Sequence, residues 1–189
     1  EWDGTNNLVD PLCGSGTFLI EAVSMLLGIA SGMDRQFLFK NWPDFDSSFW
    51  DQELKMAQKM KPLNNKLPKI IGCEVDKMIA NSASDNVVKA GLENYIEIIN
   101  CPFQEFELPP GLGLLICNPP YGKRIGDEDE LPNLYKQLGK YCKKQASGWD
   151  LWLLNGNPKL SKYLGMKASR RFQVNNGSLD CRWLNYKIK

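Results

Sequence analysis

A chain of 189 residues is one domain's length and long enough to bury a substantial core. Its 43% hydrophobic and 24% charged content is ordinary for a globular protein, and no apolar run approaches a membrane span. From the polar start, Glu1-Trp2-Asp3-Gly4, no signal peptide is expected. With 23 Lys+Arg against 22 Asp+Glu, the net charge of +1 is weak for gripping nucleic acid unaided. A small substrate, a second domain or a local cluster of bases must make up the difference.

Leu8-Val9 reads as the end of a first strand that runs into a loop at Asp10. Thr17 to Ile29 reads as a helix, apolar on most faces and so expected to be buried, with Gly28 and Gly32 near its end. Residues 31–66 have another texture: Phe37, Phe39, Trp42, Phe45, Phe49 and Trp50 lie among charges and prolines. Asp46-Ser47 caps a predicted helix through Lys61, with Trp50, Leu54 and Ala57 on one side. This stretch is read as an insertion beside the sheet, its aromatics forming a satellite core or, less directly, placing substrate. Lys69 to Val75 is a second strand, and Asp76 to Lys89 a helix ended by Gly91. Tyr95–Ile99 and Leu112–Cys117 are the third and fourth strands. Leu131 to Gln145 is helical, with Leu134, Leu138 and Tyr141 at helical spacing, and Asp150–Leu154 is a fifth strand. Asn157-Pro158 opens a short helix to Leu164. Arg171–Val174 and Asp180–Ile188 are final strands joined at Asn175-Asn176-Gly177, a hairpin signal. Strand–helix alternation closed by a hairpin implies an α/β fold with a doubly wound, mostly parallel seven-stranded sheet and a C-terminal antiparallel hairpin. Ligands of such sheets bind at the carboxyl ends of the strands, near the switch point.

Two motifs fall at such ends. The first is Asp10-Pro11-Leu12-Cys13-Gly14-Ser15-Gly16-Thr17. It resembles the S-adenosylmethionine (SAM) loop of class I, Rossmann-like methyltransferases. Gly14 and Gly16 let the backbone turn tightly and approach a ligand. The helix that follows offers free N–H groups to the ligand's carboxylate. Asp10, at the strand end, is placed to hold its ammonium directly or through water. No Gly-Lys-[Ser/Thr] follows, which excludes a Walker A loop. The resemblance puts Asp10, Pro11, Cys13, Gly14, Ser15, Gly16 and Thr17 in the cofactor site.

Glu74 ends the second strand, where an acidic side chain accepts bonds from both ribose hydroxyls. It lies farther from the glycines than the roughly 20 residues of a Rossmann unit, the excess being the 31–66 insertion. Asp76 is the competing acid, but it also suits the cap of the next helix. After the third strand, related methyltransferases often carry an Asp near the adenine amine. The segment here reads Asn100-Cys101-Pro102-Phe103-Gln104-Glu105 and lacks it. Backbone groups, with Phe103 against the ring, are the expected substitute.

The second motif is Asn118-Pro119-Pro120-Tyr121-Gly122-Lys123-Arg124. Its first four residues resemble the catalytic tetrapeptide of enzymes that methylate exocyclic amines of nucleobases. Such an amine is a poor nucleophile, because its lone pair is delocalised into the ring. The Asn118 side-chain oxygen and the Pro119 carbonyl can accept the two amine protons and aim the lone pair at a methyl donor; Asn118 therefore faces both cofactor and substrate. The prolines stiffen the loop. Tyr121 offers a flat face to the base. Lys123 and Arg124 suit phosphates or the target nucleotide, or are plain surface charges. Catalysis of this kind rests on orientation and electrostatics.

That fits a chain without histidine, which excludes His bases, Ser-His-Asp triads and His-ligated metals. The six cysteines include no Cys-x-x-Cys pair, so no metal site is expected, and a reducing cytoplasmic setting is read from them. Asp127 to Glu130 reads as a solvated helix start. Lys159, Lys162, Lys167, Arg170 and Arg171 occur with no intervening acid, a stretch able to track a nucleic-acid backbone or simply to be solvated.

Across nearly its whole length the chain resembles the THUMP-associated RNA methyltransferases, in particular bacterial 23S rRNA guanine-N2 methyltransferases. Besides the two motifs, the resemblance takes in Trp2-x-Gly4, Ile20-Glu21-Ala22, Leu134-Tyr135-x-x-Leu138-Gly139 and Asn176-Gly177-x-x-x-Cys181. It implies SAM as donor, the N2 amine of a guanosine in 23S rRNA as acceptor, and an N-terminal RNA-binding THUMP domain ahead of this single catalytic domain of residues 1–189. A tRNA guanine-N2 enzyme, a DNA adenine-N6 enzyme and a non-catalytic SAM- or RNA-binding module are the alternatives. For Glu21 a helix-to-loop contact is expected.

Overall fold

Neighbouring residues Leu8 and Val9 are both fully buried, one on each face of the central sheet, as the two-residue repeat of a strand demands. The computed structural model describes residues 2–32, 35–59, 67–121 and 130–189. Leu8 and Val9 belong to β1 (Asn7–Asp10). Around it lie β2 (Ile70–Glu74), β3 (Glu97–Asn100), β4 (Gly113–Cys117), β5 (Asp150–Asn155), β6 (Arg170–Asn176) and β7 (Leu179–Lys187). The sheet order is β3-β2-β1-β4-β5-β7-β6. β1 to β5 are parallel, and β7 runs antiparallel to both β5 and β6. The expected fold class is therefore the observed one. The chain winds outward from β1 to β3, then returns to β4 on the other side of β1. That reversal makes the crevice at the carboxyl ends of β1 and β4 the natural ligand site.

Two cores flank the sheet. On one face α1 (Thr17–Leu27) and α3 (Lys77–Lys89) bury Leu19, Val23, Leu26 and Val87 against Leu8 and Ile70. On the other, α4 (Glu130–Gln145) buries Leu131, Tyr135, Leu138 and Cys142 against Val9, Leu115 and Leu151. Each fully buried leucine contributes about 2 kcal/mol of hydrophobic transfer energy.

Local chemistry adjusts several predicted boundaries. α1 stops at Leu27, because Gly28 takes a left-handed conformation (φ +68°) and Ile29 N–H returns to the Ser24 carbonyl, a Schellman end. Only one face of α1 is buried; Met25 is 66% exposed. Tyr95 falls in a turn closed on the Leu92 carbonyl, so β3 starts at Glu97. The hairpin loop is Gly177-Ser178, since Asn176 still pairs with Leu179. Glu21 accepts a hydrogen bond from Ser31 Oγ at 3.1 Å, the expected helix-to-loop contact.

The insertion holds α2 (Ser47–Gln58), capped by Asp46, whose carboxylate accepts the Ser48 and Phe49 N–H groups. Trp50, Leu54 and Ala57 form its half-buried side, as expected. The helix ends at Gln58; Lys61 lies outside the described residues. Phe37, Phe39, Phe45 and Trp50 meet ring to ring, with Lys40 Nζ 4.9 Å over the Trp50 ring. The satellite aromatic cluster therefore exists, but its described residues join neither core of the sheet.

Candidate active site

The end of β1 delivers a carboxylate into the interior. Asp10 is 2% exposed, and its Oδ1 accepts the Leu12 N–H at 3.0 Å. Burial, with a smaller push from the Glu74 charge, raises its pKa to about 8, against the partial relief of the Leu12 bond. A cation brought to this carboxylate would draw it back toward ionisation. From there the loop turns: Cys13 N–H donates to the Cys73 carbonyl, and Gly16 N–H to the Cys13 carbonyl, both at 2.9 Å. Gly14 and Gly16 have φ of +53° and +79°, which favour glycine. A Cβ on Gly14 would meet no protein atom within 4 Å, so the loop faces open space there. Gly16 caps α1 without a side-chain acceptor, and the first turn holds no acid. Its leading N–H groups thus suit an anionic group from outside the helix.

Glu74 closes the other side. Its Oε2 accepts the Gly14 N–H at 3.2 Å and its Oε1 the Asp76 N–H at 2.9 Å. Asp76, the competing acid, is engaged as the cap of α3, accepting the Met78 and Ile79 N–H groups. Two residues that sequence reasoning missed steady this region. Asn100 Nδ2 donates to the carbonyls of Glu74 and Val75 at 2.8 and 3.0 Å, and Asn86 Nδ2 donates to that of Ser15 at 3.1 Å. The ends of β2, β3 and α3 are thereby tied to the loop. Val75, between Glu74 and Asp76, is 65% exposed and offers an apolar surface beside the Glu74 carboxylate. Phe103 is 4% exposed, its ring edge-on to Tyr141 at 5.4 Å between centroids. It supports the floor of the region and presents little of its face.

The fit to SAM rests on these observations: a cationic subsite at Asp10, open backbone at Gly14, an uncapped helix start, and an acid with spare lone pairs at Glu74. Ser15 and Thr17 hydroxyls bond one another at 3.0 Å at the loop's outer edge, and Cys13 is buried beneath it. Pro11, next to Asp10, is buried.

The second motif leaves β4 beside the first. Val9 of β1 is registered with Leu115 of β4, so Asp10 and Asn118 emerge from adjacent strand ends. Asn118 is exposed, Pro119 buried and Pro120 half-buried. Tyr121 is half-buried and held at both ends. Its hydroxyl accepts from Asn176 Nδ2 at 3.0 Å, with Cys181 Sγ 3.9 Å away. Its ring lies on Gly156, where any Cβ would collide with it. Burial raises the Tyr121 pKa, so the hydroxyl stays protonated. Lys123 and Arg124 lie outside the described residues, as do Gly122 and Asp127 to Asp129.

Residues 1–185 match the model of the UPF0020 family, described as an RMKL-like methyltransferase domain. The chain belongs to this family. It is 40% identical over 188 residues to the Synechocystis protein named "Putative RNA methyltransferase slr0064", and spans 99% of this chain and 49% of that one. It is 36% identical over 187 residues to the ribosomal RNA large subunit methyltransferase K/L of Syntrophotalea carbinolica, covering 96% of this chain and 26% of that protein. The chain therefore spans between a quarter and a half of these relatives. Among solved structures it is similar to SMU.472 complexed with S-adenosylhomocysteine: TM-score 0.88, 30% identity, all of this chain and 50% of that one. A Listeria monocytogenes structure named as "a predicted N6-adenine-specific DNA methylase" gives a TM-score of 0.84 at 27% identity, with all of this chain and 48% of that one covered. The fold and family are those of SAM-dependent methyltransferases.

Proposed function

We propose that this chain is the catalytic domain of an RNA methyltransferase, acting on the N2 amine of a guanosine in 23S rRNA with SAM as donor. The observation that carries the reaction class is the emergence of Asn118, exposed, beside the Asp10–Thr17 loop from adjacent parallel strands. SAM supplies an electrophilic sulfonium methyl. Asp10 holds its ammonium, the α1 start its carboxylate and Glu74 its ribose. Asn118 Oδ1 and the Pro119 carbonyl accept the two protons of the target amine, directing its lone pair toward the donor. Tyr121, fixed by Asn176 and Gly156, stacks on the base, and Lys123 and Arg124, next to it in sequence, have the charge to take phosphates. Orientation of this kind supplies much of a rate enhancement without a strong base. A base in folded RNA is flipped out to reach such a pocket.

Support for RNA comes from relatives named as RNA and ribosomal RNA large subunit methyltransferases. The domain works with an RNA-binding domain ahead of it, in the cytoplasm, where ribosomal RNA is available. The Listeria similarity favours DNA adenine as the second reading. Nucleoside mass spectrometry of 23S rRNA, tRNA and DNA from cells lacking the gene separates them. Loss of N2-methylguanosine from 23S rRNA alone fits the proposal. Loss from tRNA alone moves the substrate, and loss of N6-methyladenine from DNA replaces the reading.

A further inference from the structure

Near-neutral chains that handle nucleic acid must concentrate their positive charge somewhere. A cleft of about 430 Å³ opens between the short helical turn Ser161–Leu164 and the β6–β7 hairpin. Lys162, Lys167, Arg171 and Arg182 line it, Asn155 and Tyr186 are buried at its floor, and no acidic residue contributes to it. In a chain of net charge +1 this is a strong local excess. The cleft on the opposite face of the same strands is different: Arg170 and Lys187 are balanced there by Asp3 and Asp150. Among the described residues, Lys167, Arg171 and Arg182 have no salt-bridge partner. Lys162 Nζ rests only on its neighbour's ring, 5.0 Å from the Tyr163 centroid.

The cleft adjoins the Tyr121 site by construction. Its floor residue Asn155 precedes Gly156, on which the Tyr121 ring lies. Its wall residue Arg182 pairs across the sheet with Asn155; it leaves the opposite face of β7 from its neighbour Cys181, which meets the Tyr121 hydroxyl, so the tie to Tyr121 runs through Asn155 and Gly156. One hairpin therefore anchors the aromatic face and carries half of the cations. Arginine forks and lysine point charges in one concavity match phosphodiester oxygens.

We propose that this cleft binds the phosphodiester backbone of the substrate strand next to the target nucleotide, so that a base on Tyr121 has its neighbouring phosphates between the short turn and the hairpin. This rests on the nucleic-acid reading above, but not on the choice of base. The basic stretch read in the sequence is thus divided. Lys162, Lys167 and Arg171 face the cleft, Arg182 joins them from β7, and Arg170 lines the other one.

The test is fluorescence anisotropy of this chain with a labelled single-stranded RNA, across a salt series. Arg171→Gln with Arg182→Gln is compared with Lys55→Gln plus Lys89→Gln, exposed lysines on α2 and α3. Removing two phosphate contacts should weaken binding about tenfold or more at low salt, and flatten the log–log salt slope by about 1.4. The lysine control should leave the slope unchanged, and SAM titration should be the same for all. Equal slopes for the cleft variant and the unaltered chain, equal losses in both variants, or no binding of either RNA or DNA by the unaltered chain at low salt would overturn the proposal. A single-stranded DNA of the same sequence separates the two claims. Binding of DNA, not RNA, with the same dependence on Arg171 and Arg182 keeps the cleft and removes the RNA reading. RNA binding indifferent to them does the reverse.

Discussion

The Tyr121 hydroxyl accepts a hydrogen bond from Asn176 Nδ2 at 3.0 Å, joining the loop after β4 to the last residue of β6. A ring meant to stack on a base is useful only if its plane is fixed, and Asn176 fixes it from outside the motif. Asn176 is exposed, so Asn176→Ala should leave thermal stability almost unchanged. It should lower methyl transfer by about tenfold, the scale of one hydrogen bond, with SAM affinity unaltered. Steady-state kinetics beside a SAM titration checks this. Unchanged turnover would mean that Tyr121 needs no anchor.

Asp10 makes a pH prediction. Its folded pKa is raised to about 8 by burial, above its ordinary value near 3.8. The folded state therefore holds a proton that the unfolded chain has released. The resulting stability is fully present below about pH 4 and is lost as pH rises through about 8. Asp10→Asn should raise the melting temperature more at pH 8 than at pH 4. The same carboxylate has to ionise to hold an ammonium, so SAM affinity of the unaltered chain should rise between pH 6 and 8. Asp10→Asn should bind weakly and without that slope. Calorimetric titration at several pH values reads both.

Glu74 is engaged by the Gly14 and Asp76 N–H groups, and Asp76 by the start of α3. Glu74→Ala should weaken SAM binding by about tenfold, through the lost ribose bonds and a freer Gly14 loop. An unchanged dissociation constant would move the ribose contact elsewhere.

The strands and both motifs were legible because apolar runs and punctuating residues are local signals. Leu8-Val9 before Asp10 and Leu114–Cys117 before Asn118 place their loops without any tertiary knowledge. What escaped was set by distance. Glu74 meets Gly14 across 60 residues and Tyr121 meets Asn176 across 55, and no local pattern marks either pair. Phe103 illustrates the same point. A phenylalanine after a strand end reads as a ligand-facing ring, yet α4 supplies Tyr141 to bury it. The aromatic run of the insertion reads as core, and its rings do cluster, but with each other and apart from the sheet.

The cysteines give a simple check on packing. Cys13 and Cys142 are buried, and burial pushes each thiol up to about 12; Cys73, Cys117 and Cys181 are buried too. Only Cys101 of the six is partly open. A bulky thiol reagent should modify Cys101 first in the native chain and all six after denaturation. Rapid native modification of Cys13 would contradict the packed loop described above.

The most direct test of the catalytic assignment is Asn118→Ala, measured twice on one preparation, by SAM titration and by methyl transfer to 23S rRNA with the full-length protein. Asn118 is exposed and outside both cores, so folding should survive. SAM affinity should be unchanged and transfer reduced by roughly a hundredfold or more, the scale of losing a transition-state contact. Transfer at the unaltered rate with SAM bound would contradict the assignment, and the amine would then be activated by some other group.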